Sequence, residues 1–522
     1  MRGALAVAVV LLAAACGKAA APAPVPTPAP GPSSPEVVVA DPAEGRLFVA
    51  DVTRKVVLAF DTASHEATVL PITGLTPTGL AVAPDGSALF VTGTAEGGRI
   101  VRLDLADLTT TTIETGTPHP TAPVVSPMGD ALWVCHRFSN AIENYHPITL
   151  ESRKRVPVGR EPVAAVNFHG SVFVGQHLPA GAGDGDYAAA VLHMVELGQF
   201  EPSAPCPLPN GSTSLRGLCK PPGAPIVIAA HILARYQVPT SQIERGWINT
   251  NALTIVDLGP SDRTKTVLLD DVNRGAANPW GVAVCPDGRT LVVAHSGTHE
   301  LSLIDLPGLL AKLETTGDDV SEDLTFLGDL RRRVRLKGVG PRGIAIADGA
   351  VWVAEYFSGS LGRVSLTDGS VTSFPLVDKP VPETGIRRGE RLFHDADLCF
   401  QQWQSCASCH PDARADALNW DLLNDGFGNP KSTKSMLLAH ATPPAMITGI
   451  RPDAEHAVRA GIRHIQFAVR PEEDAKAIDA YLSSLTPVRG PAGDPAAIAR
   501  GEKVYAKARC DKCHPAPLFT DM

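Results

Sequence analysis

The stretch "TPTGLAVAPDGSALFVTG" at residues 76–93 decides the fold, because the chain repeats it. It returns as "HPTAPVVSPMGDALWVCH" (119–136), "NPWGVAVCPDGRTLVVAH" (278–295) and "GPRGIAIADGAVWVAEY" (340–356). Weaker copies stand at 34–51, 161–177 and 215–231. Each copy holds two short apolar runs around a Pro-Asp-Gly-like turn, usually followed by a third run such as "ELSLIDL". Alternation, β-branched residues and turn signals predict antiparallel strands. Strand units recurring at about 40 residues or more predict a β-propeller, and seven copies predict seven blades over 35–380. The longer spacings after the fourth and fifth copies predict inserted loops, one of them carrying Cys206 and Cys219. Outside the cytoplasm those two cysteines could close a disulfide.

Length and composition agree with more than one domain. The chain has 522 residues, 44% of them hydrophobic and 19% charged, enough to bury a proper core. A net charge of −9 argues against a nucleic-acid partner. The one basic run, "RRRVRLK" (331–337), alternates in a way that predicts the solvated face of a strand.

The N-terminus "MRGALAVAVVLLAAAC" has Arg2, an apolar stretch at 4–12, small residues and then Cys16. That is a secretory signal, too short for a permanent membrane span. Its Ala-Ala-Ala-Cys-Gly ending resembles a bacterial lipoprotein cleavage site, which implies a lipid on Cys16 and a place in the cell envelope, facing the periplasm or on the outer membrane. Ala13 departs from that pattern, which prefers Leu there. Plain secretion is the competing reading. The membrane is then met only through the N-terminal lipid, and the Ala/Pro-rich 17–34 is an extended tether.

After the last repeat the pattern changes to helical spacing, in 453–467 and again in 472–485, where Ala475, Ile478, Leu482 and Leu485 share a face. The expected architecture is an all-β propeller followed by an all-α cytochrome c-like domain at 384–486. Residues 486–495 read as a linker, and 496–522 as the start of a second, truncated domain. Each of these two regions carries Cys-x-x-Cys-His: Cys406, Cys409 and His410, then Cys510, Cys513 and His514. Two thiols at this spacing can each bond a vinyl group of one haem, and the next histidine reaches its iron. A zinc site would need the two pairs to converge, yet 100 residues separate them. A redox dithiol needs no following histidine. The cofactor expected is haem c, with His410 and His514 as iron ligands.

The repeats resemble the propeller repeats typified by Tyr-Val-Thr-Asn, degraded here to forms such as Phe-Val-Thr-Gly. "GIRRGERLFHDADLCFQQWQSCASCHPDA" resembles the start of the bacterial di-haem cytochrome c peroxidase family, with Gly389, Leu392 and Phe393 in the helix before the first haem motif. "ARGEKVYAKARCDKCH" repeats this with Gly501, Val504 and Tyr505. The likeness covers 384–522 and implies electron transfer, with peroxide reduction in a full-length di-haem form. It also implies a redox partner such as a small cytochrome or a cupredoxin. The family's histidine after the first motif and its tryptophan between the haems have no counterpart here. Met446, in "TPPAM", resembles the sixth ligand of small cytochromes c, while His440, His456 and His464 are rivals and a core-filling methionine is the bland alternative.

One further pattern stands out. His136, His177, His231 and His295, with Glu355 in the last repeat and His299 nearby, end the second strand of successive copies. If they converge, they could bind a metal, accept a substrate or dock the haem region. The parity is imperfect, since His177 and His231 sit one residue late. A propeller acting as a surface binding module, with the haem region accessory, is the second functional expectation.

Overall fold

The structure is a computed structural model that describes residues 25–520 apart from short stretches, the longest being 182–186, 197–200, 241–247, 260–263 and 489–492. Arg2, the apolar stretch of the leader, Cys16 and Met522 lie outside the described residues. No helix among the described residues is long and apolar enough to cross a membrane.

Seven four-stranded antiparallel sheets follow one another along the chain, at 35–69, 76–114, 120–157, 162–207, 212–268, 279–335 and 341–375. Each blade uses four consecutive strands, so the ring closes by packing the first strand of blade 1, Pro35–Ala40, against that of blade 7, Pro341–Ala347. The second strands are the most buried, as in Leu132–His136 and Ala350–Glu355, which have no exposed residue. Apolar side chains fill the gaps between neighbouring blades, as Trp352 of the second strand of blade 7 and Phe60 of the third strand of blade 1 do.

The repeated Pro-x-Gly opening of the first strand has a steric cause. A side-chain carbon at Gly217 would lie 2.5 Å from the carbonyl oxygen of Trp280 on the next blade, and one at Gly343 would lie 2.8 Å from that of Glu36. First strands crowd around the propeller axis, and glycine lets their backbones approach.

Four expectations are corrected here. Cys206 sits on a two-residue strand of blade 4 and Cys219 ends the eight-residue first strand of blade 5, rather than both lying in an inserted loop, and Cys219 keeps a free, buried thiol, so no bridge joins them. The sixth repeat also carries an insertion, helix α1 (Leu306–Thr315), which packs Leu306, Leu309 and Leu313 onto the blade. The basic run forms the outer strand Arg331–Arg335 of blade 6, but Arg331 and Arg333 are turned inward. Arg333 donates to Asp271 at 2.7 Å and to Glu300 at 2.9 Å, because the buried Glu300 carboxylate beneath the strand needs a cation.

The last correction concerns the segment after blade 7. It holds helices α2 (Gly385–His394), α3 (Cys406–Cys409), α4 (Ala454–His464), α5 (Glu472–Ser484) and α6 (Pro495–Lys507), together with a short ladder between Asn419–Trp420 and Lys431–Ser432. It is neither all-helical nor set apart, since it packs on the rim where second strands end and first strands begin. At α2, Gly389 lies against the Ala477 backbone of α5, where any side-chain carbon would collide. Leu392 and Phe393 are buried with Ala475, Ile478 and Leu482 in one small core. The spacing of Gly389, Leu392 and Phe393 is therefore a helix-packing signature.

Candidate functional site

Helix α3 is a single turn, which places Cys406 and Cys409 three residues apart on one face. The turn is nucleated by a reciprocal cap: the Ser405 side chain accepts from the Ser408 amide, and the Ser405 amide donates to Ser408 Oγ at 3.0 Å. Asn278 of blade 6 clamps both serines, donating to Ser405 Oγ and accepting from Ser408 Oγ at 2.6 Å each. Asn249 of blade 5 donates to Cys409 Sγ at 3.3 Å and to Gln404 at 3.0 Å. Burial pushes the Cys406 thiol up to about 12 and raises that of Cys409 as well. Thiols kept protonated in this way are poor redox nucleophiles.

His410 ends the turn. Its Nδ1 contacts the carbonyl oxygens of Lys434 at 2.9 Å and Arg414 at 3.2 Å, so Nδ1 carries the proton and Nε2 keeps its lone pair. Burial lowers the ring's pKa and favours the neutral form that a metal ligand needs. Cys406, Cys409 and His410 line one cavity of about 790 Å³, within the usual range for a cofactor pocket. Phe393, Trp420, Ile462 and Leu482 give it apolar walls, and Lys431, Lys434 and Arg451 bring cations to its lining. The donor set, the apolar walls and the cations fit a haem with its two carboxylates.

The same cavity takes in Met446, His440 and His464, and also Met436, which no local sequence signal distinguished from core filler. His456 is absent from its lining. That side chain is exposed and paired with Asp453 at 2.6 Å. His440 Nε2 is paired with Asp479 at 3.1 Å.

The loop after His410 is held by the propeller. Arg137 of blade 3 and Arg216 of blade 5 both donate to Asp412, the latter at 2.7 Å. Arg414 forks onto Glu161 of blade 4, at 2.8 Å for one of its two bonds, and Arg137 reaches the same carboxylate at 3.0 Å. Burial would push the Asp412 carboxyl up, but Arg216 and Arg137 hold it well below its usual range. Glu161 is likewise raised by burial, yet Arg414 and Arg137 bring it down to about 2. The ordinary carboxylate value is about 4.3, so the ion pairs stabilise the docked state fully above that pH. The contribution fades as pH falls towards 2. The melting temperature should therefore drop across this acid window, and Glu161→Gln should flatten the drop. A wild-type acid profile identical to the variant's would show that the pair contributes nothing.

The propeller histidines do not converge as a group. His136 lies between Thr117 and Tyr145 of its own region, with Glu143 at 3.2 Å. His295 contacts the Ala276 carbonyl at 3.0 Å and Ser302 at 2.8 Å, and His231 contacts Thr254 at 2.7 Å. Glu355 accepts from Gly338 at 2.9 Å and Ser360 at 2.6 Å. Each polar ring or carboxylate is satisfied inside its own blade or at the adjoining blade junction, as burial demands. Register explains the failure. His136, His295 and Glu355 pair with Pro120, Pro279 and Pro341, whereas Gln176 takes that place in blade 4. His231 lies three residues inside a strand that ends at Ala234. His177 and His299 face the docked segment, the first with Nε2 at 3.7 Å from Asp412 and the second with Nε2 at 3.2 Å from Asp395. Among the described residues, one group of histidine and acids is close enough to share a metal: His299, Asp395 and Asp397. Arg335 and Arg391 pair with its carboxylates, so it reads as a latch between blade 6 and the segment.

The second Cys-x-x-Cys-His differs in setting. Helix α6 buries none of its residues, Gly501 has open space around it, and Cys513 is exposed. His514 Nδ1 contacts the Phe519 carbonyl at 3.1 Å, and the cavity that collects His410 takes in none of Cys510, Cys513 and His514.

No family model matches the chain. Two relatives from Kuenenia stuttgartiensis are similar in sequence. Hydrazine synthase subunit beta is 26% identical over 159 residues, which cover 29% of this chain and 40% of that protein. Hydrazine synthase subunit gamma is 29% identical over 207 residues, covering 35% of this chain and 57% of that protein. Each match thus spans less than two thirds of the relative's own length. Among solved structures, a chain of Kuenenia stuttgartiensis hydrazine synthase superposes with a TM-score of 0.60 at 19% identity, covering 65% of this chain and 97% of that one. The seven-bladed propeller is the fold this chain shares with that structure, and in sequence it is similar to two subunits of hydrazine synthase.

Proposed function

We propose that this chain is a c-type haem protein of the bacterial cell envelope that transfers electrons, with the propeller as the platform on which its haem segment is held. One observation carries the reading: Cys406, Cys409 and His410 line a single cavity whose size and walls suit the cofactor. When bound, haem supplies one-electron redox chemistry, with a potential set by axial ligands and burial. The chain's own part is to bind and orient. Cys406 and Cys409 would make the covalent links, and His410, held through Nδ1, offers Nε2 to the iron. Lys431, Lys434 and Arg451 suit the haem carboxylates. The likeness to the di-haem peroxidases and to Tyr-Val-Thr-Asn repeats rests on sequence residues alone. Cys510, Cys513 and His514 lie outside the cavity that collects His410, so the electron transfer proposed here is placed at the first site.

Met436 and Met446 both line the cavity, and either would offer a second protein ligand to a bound iron. Met446→Leu or Met436→Leu should abolish the weak red charge-transfer band of the oxidised protein, one of them and not both. A high-spin spectrum that neither substitution alters would mean an open coordination position, and with it the peroxidase reading. The pyridine haemochrome assay, on protein matured in a haem-exporting host, tests the cofactor itself. A propeller module without haem would give no such spectrum.

Similarity to two hydrazine synthase subunits supports a second element, that the chain works inside a multi-subunit complex. Its partners there would be sister subunits together with a small redox protein. Native mass measurement of the complex from its source cells checks this. A chain that purifies only as a monomer from those cells would oppose it.

A further inference from the structure

The propeller reaches His410 through two residues that belong to neither haem motif. Asp412 and Ala413 both adopt left-handed backbone, at φ 53° and 56°, a conformation non-glycine residues seldom take. The turn they make is over-determined by the propeller. Arg137 and Arg216 bond the Asp412 carboxylate, and Glu161 receives the fork of Arg414. The carbonyl of that same Arg414 accepts from His410 Nδ1. Three blades are thereby linked, over sequence separations of 275, 196 and 253 residues, to one of the two carbonyls that share the His410 Nδ1 proton, the other being that of Lys434 at 2.9 Å.

We propose that Arg137, Glu161 and Arg216 of the propeller are positioning residues for the iron ligand His410, acting through Asp412 and Arg414. The inference rests on the haem reading above and deepens it. A firm Nδ1–H···O=C bond makes the imidazole a stronger donor, which favours oxidised iron and lowers the reduction potential. Releasing the turn should weaken that bond. The potential should then rise.

The test uses the full chain purified with its haem, and reads the midpoint potential and the visible spectrum. Asp412→Ala should raise the midpoint by about 59 mV, a tenfold change in the one-electron equilibrium. Acetate should restore it, because the vacated place between Arg137 and Arg216 is shaped for a carboxylate. Arg216→Gln, on the propeller side, should shift the potential in the same direction and answers the question even if Asp412→Ala does not fold. Covalent haem content should be unchanged throughout. Unshifted potentials in haem-bearing Arg216→Gln, or an Asp412→Ala shift indifferent to acetate, would overturn the proposal. A wild-type chain without covalent haem would instead defeat the haem reading on which it stands.

Discussion

Gly217→Val is expected to destabilise the propeller by about 3 kcal/mol or more, the upper part of the range for overpacking a well-filled site. Strand propensity alone points the other way, since Val is favoured over Gly in an open strand by about 1 kcal/mol. The sign is decided by neighbours. A carbon at Gly217 meets the Trp280 carbonyl at 2.5 Å and the Val282 amide nitrogen at 3.2 Å, both of them backbone of the next blade. Backbone cannot rotate away as a side chain can, so the blades must part. Arg216, the next residue, stacks on the Trp280 ring at 4.2 Å and holds Asp412, so the opening should also loosen the docked segment. Thermal melts of the variant should begin earlier than those of wild type. A melt at or above the wild-type temperature would mean that the first strands are not as closely set as described.

The second large effect is on the cofactor. Cys406→Ala with Cys409→Ala should remove covalent haem from the 384–485 region and leave the propeller folded. The propeller is held by cores between neighbouring blades that do not include the haem segment, so its circular dichroism should persist. The α2–α5 core is different, because a cavity of about 790 Å³ opens beside it and the variant has nothing covalent to fill it. Its melting should separate from that of the propeller and move to lower temperature. Covalent haem persisting on that region in the double variant would show that the links lie elsewhere.

The propeller was legible because its signal is local and repeated. Alternating apolar runs and a Pro-Asp-Gly turn can be read within eighteen residues, and the glycine of "NPWG" or "GPRG" marks the crowded axis. The Cys-x-x-Cys-His turn was legible for the same reason. What the sequence did not disclose is everything set by distant partners. Asn249 and Asn278 clamp α3 from 127 to 160 residues away, and nothing near them in sequence announces it. The histidines misled because a place near the end of a strand does not fix which way a side chain faces, whereas cross-strand register does. Blades 2, 3, 6 and 7 carry the same one-residue slip, but blade 4 pairs Pro162 with Gln176, so His177 falls one residue past the place that His136 and His295 hold. The inward turn of Arg331 and Arg333 was hidden likewise, since Asp271 and Glu300 lie 33 to 62 residues earlier.

One measurement reaches the Cys406–His410 site directly. Protein matured in a haem-exporting host is digested, and the peptide spanning Cys406 to His410 is weighed. The expected result is a peptide heavier by one haem, with neither thiol open to alkylation and a pyridine haemochrome spectrum typical of two thioether links. An unmodified peptide whose two cysteines alkylate freely, from a host that loads other c-type cytochromes, would contradict it.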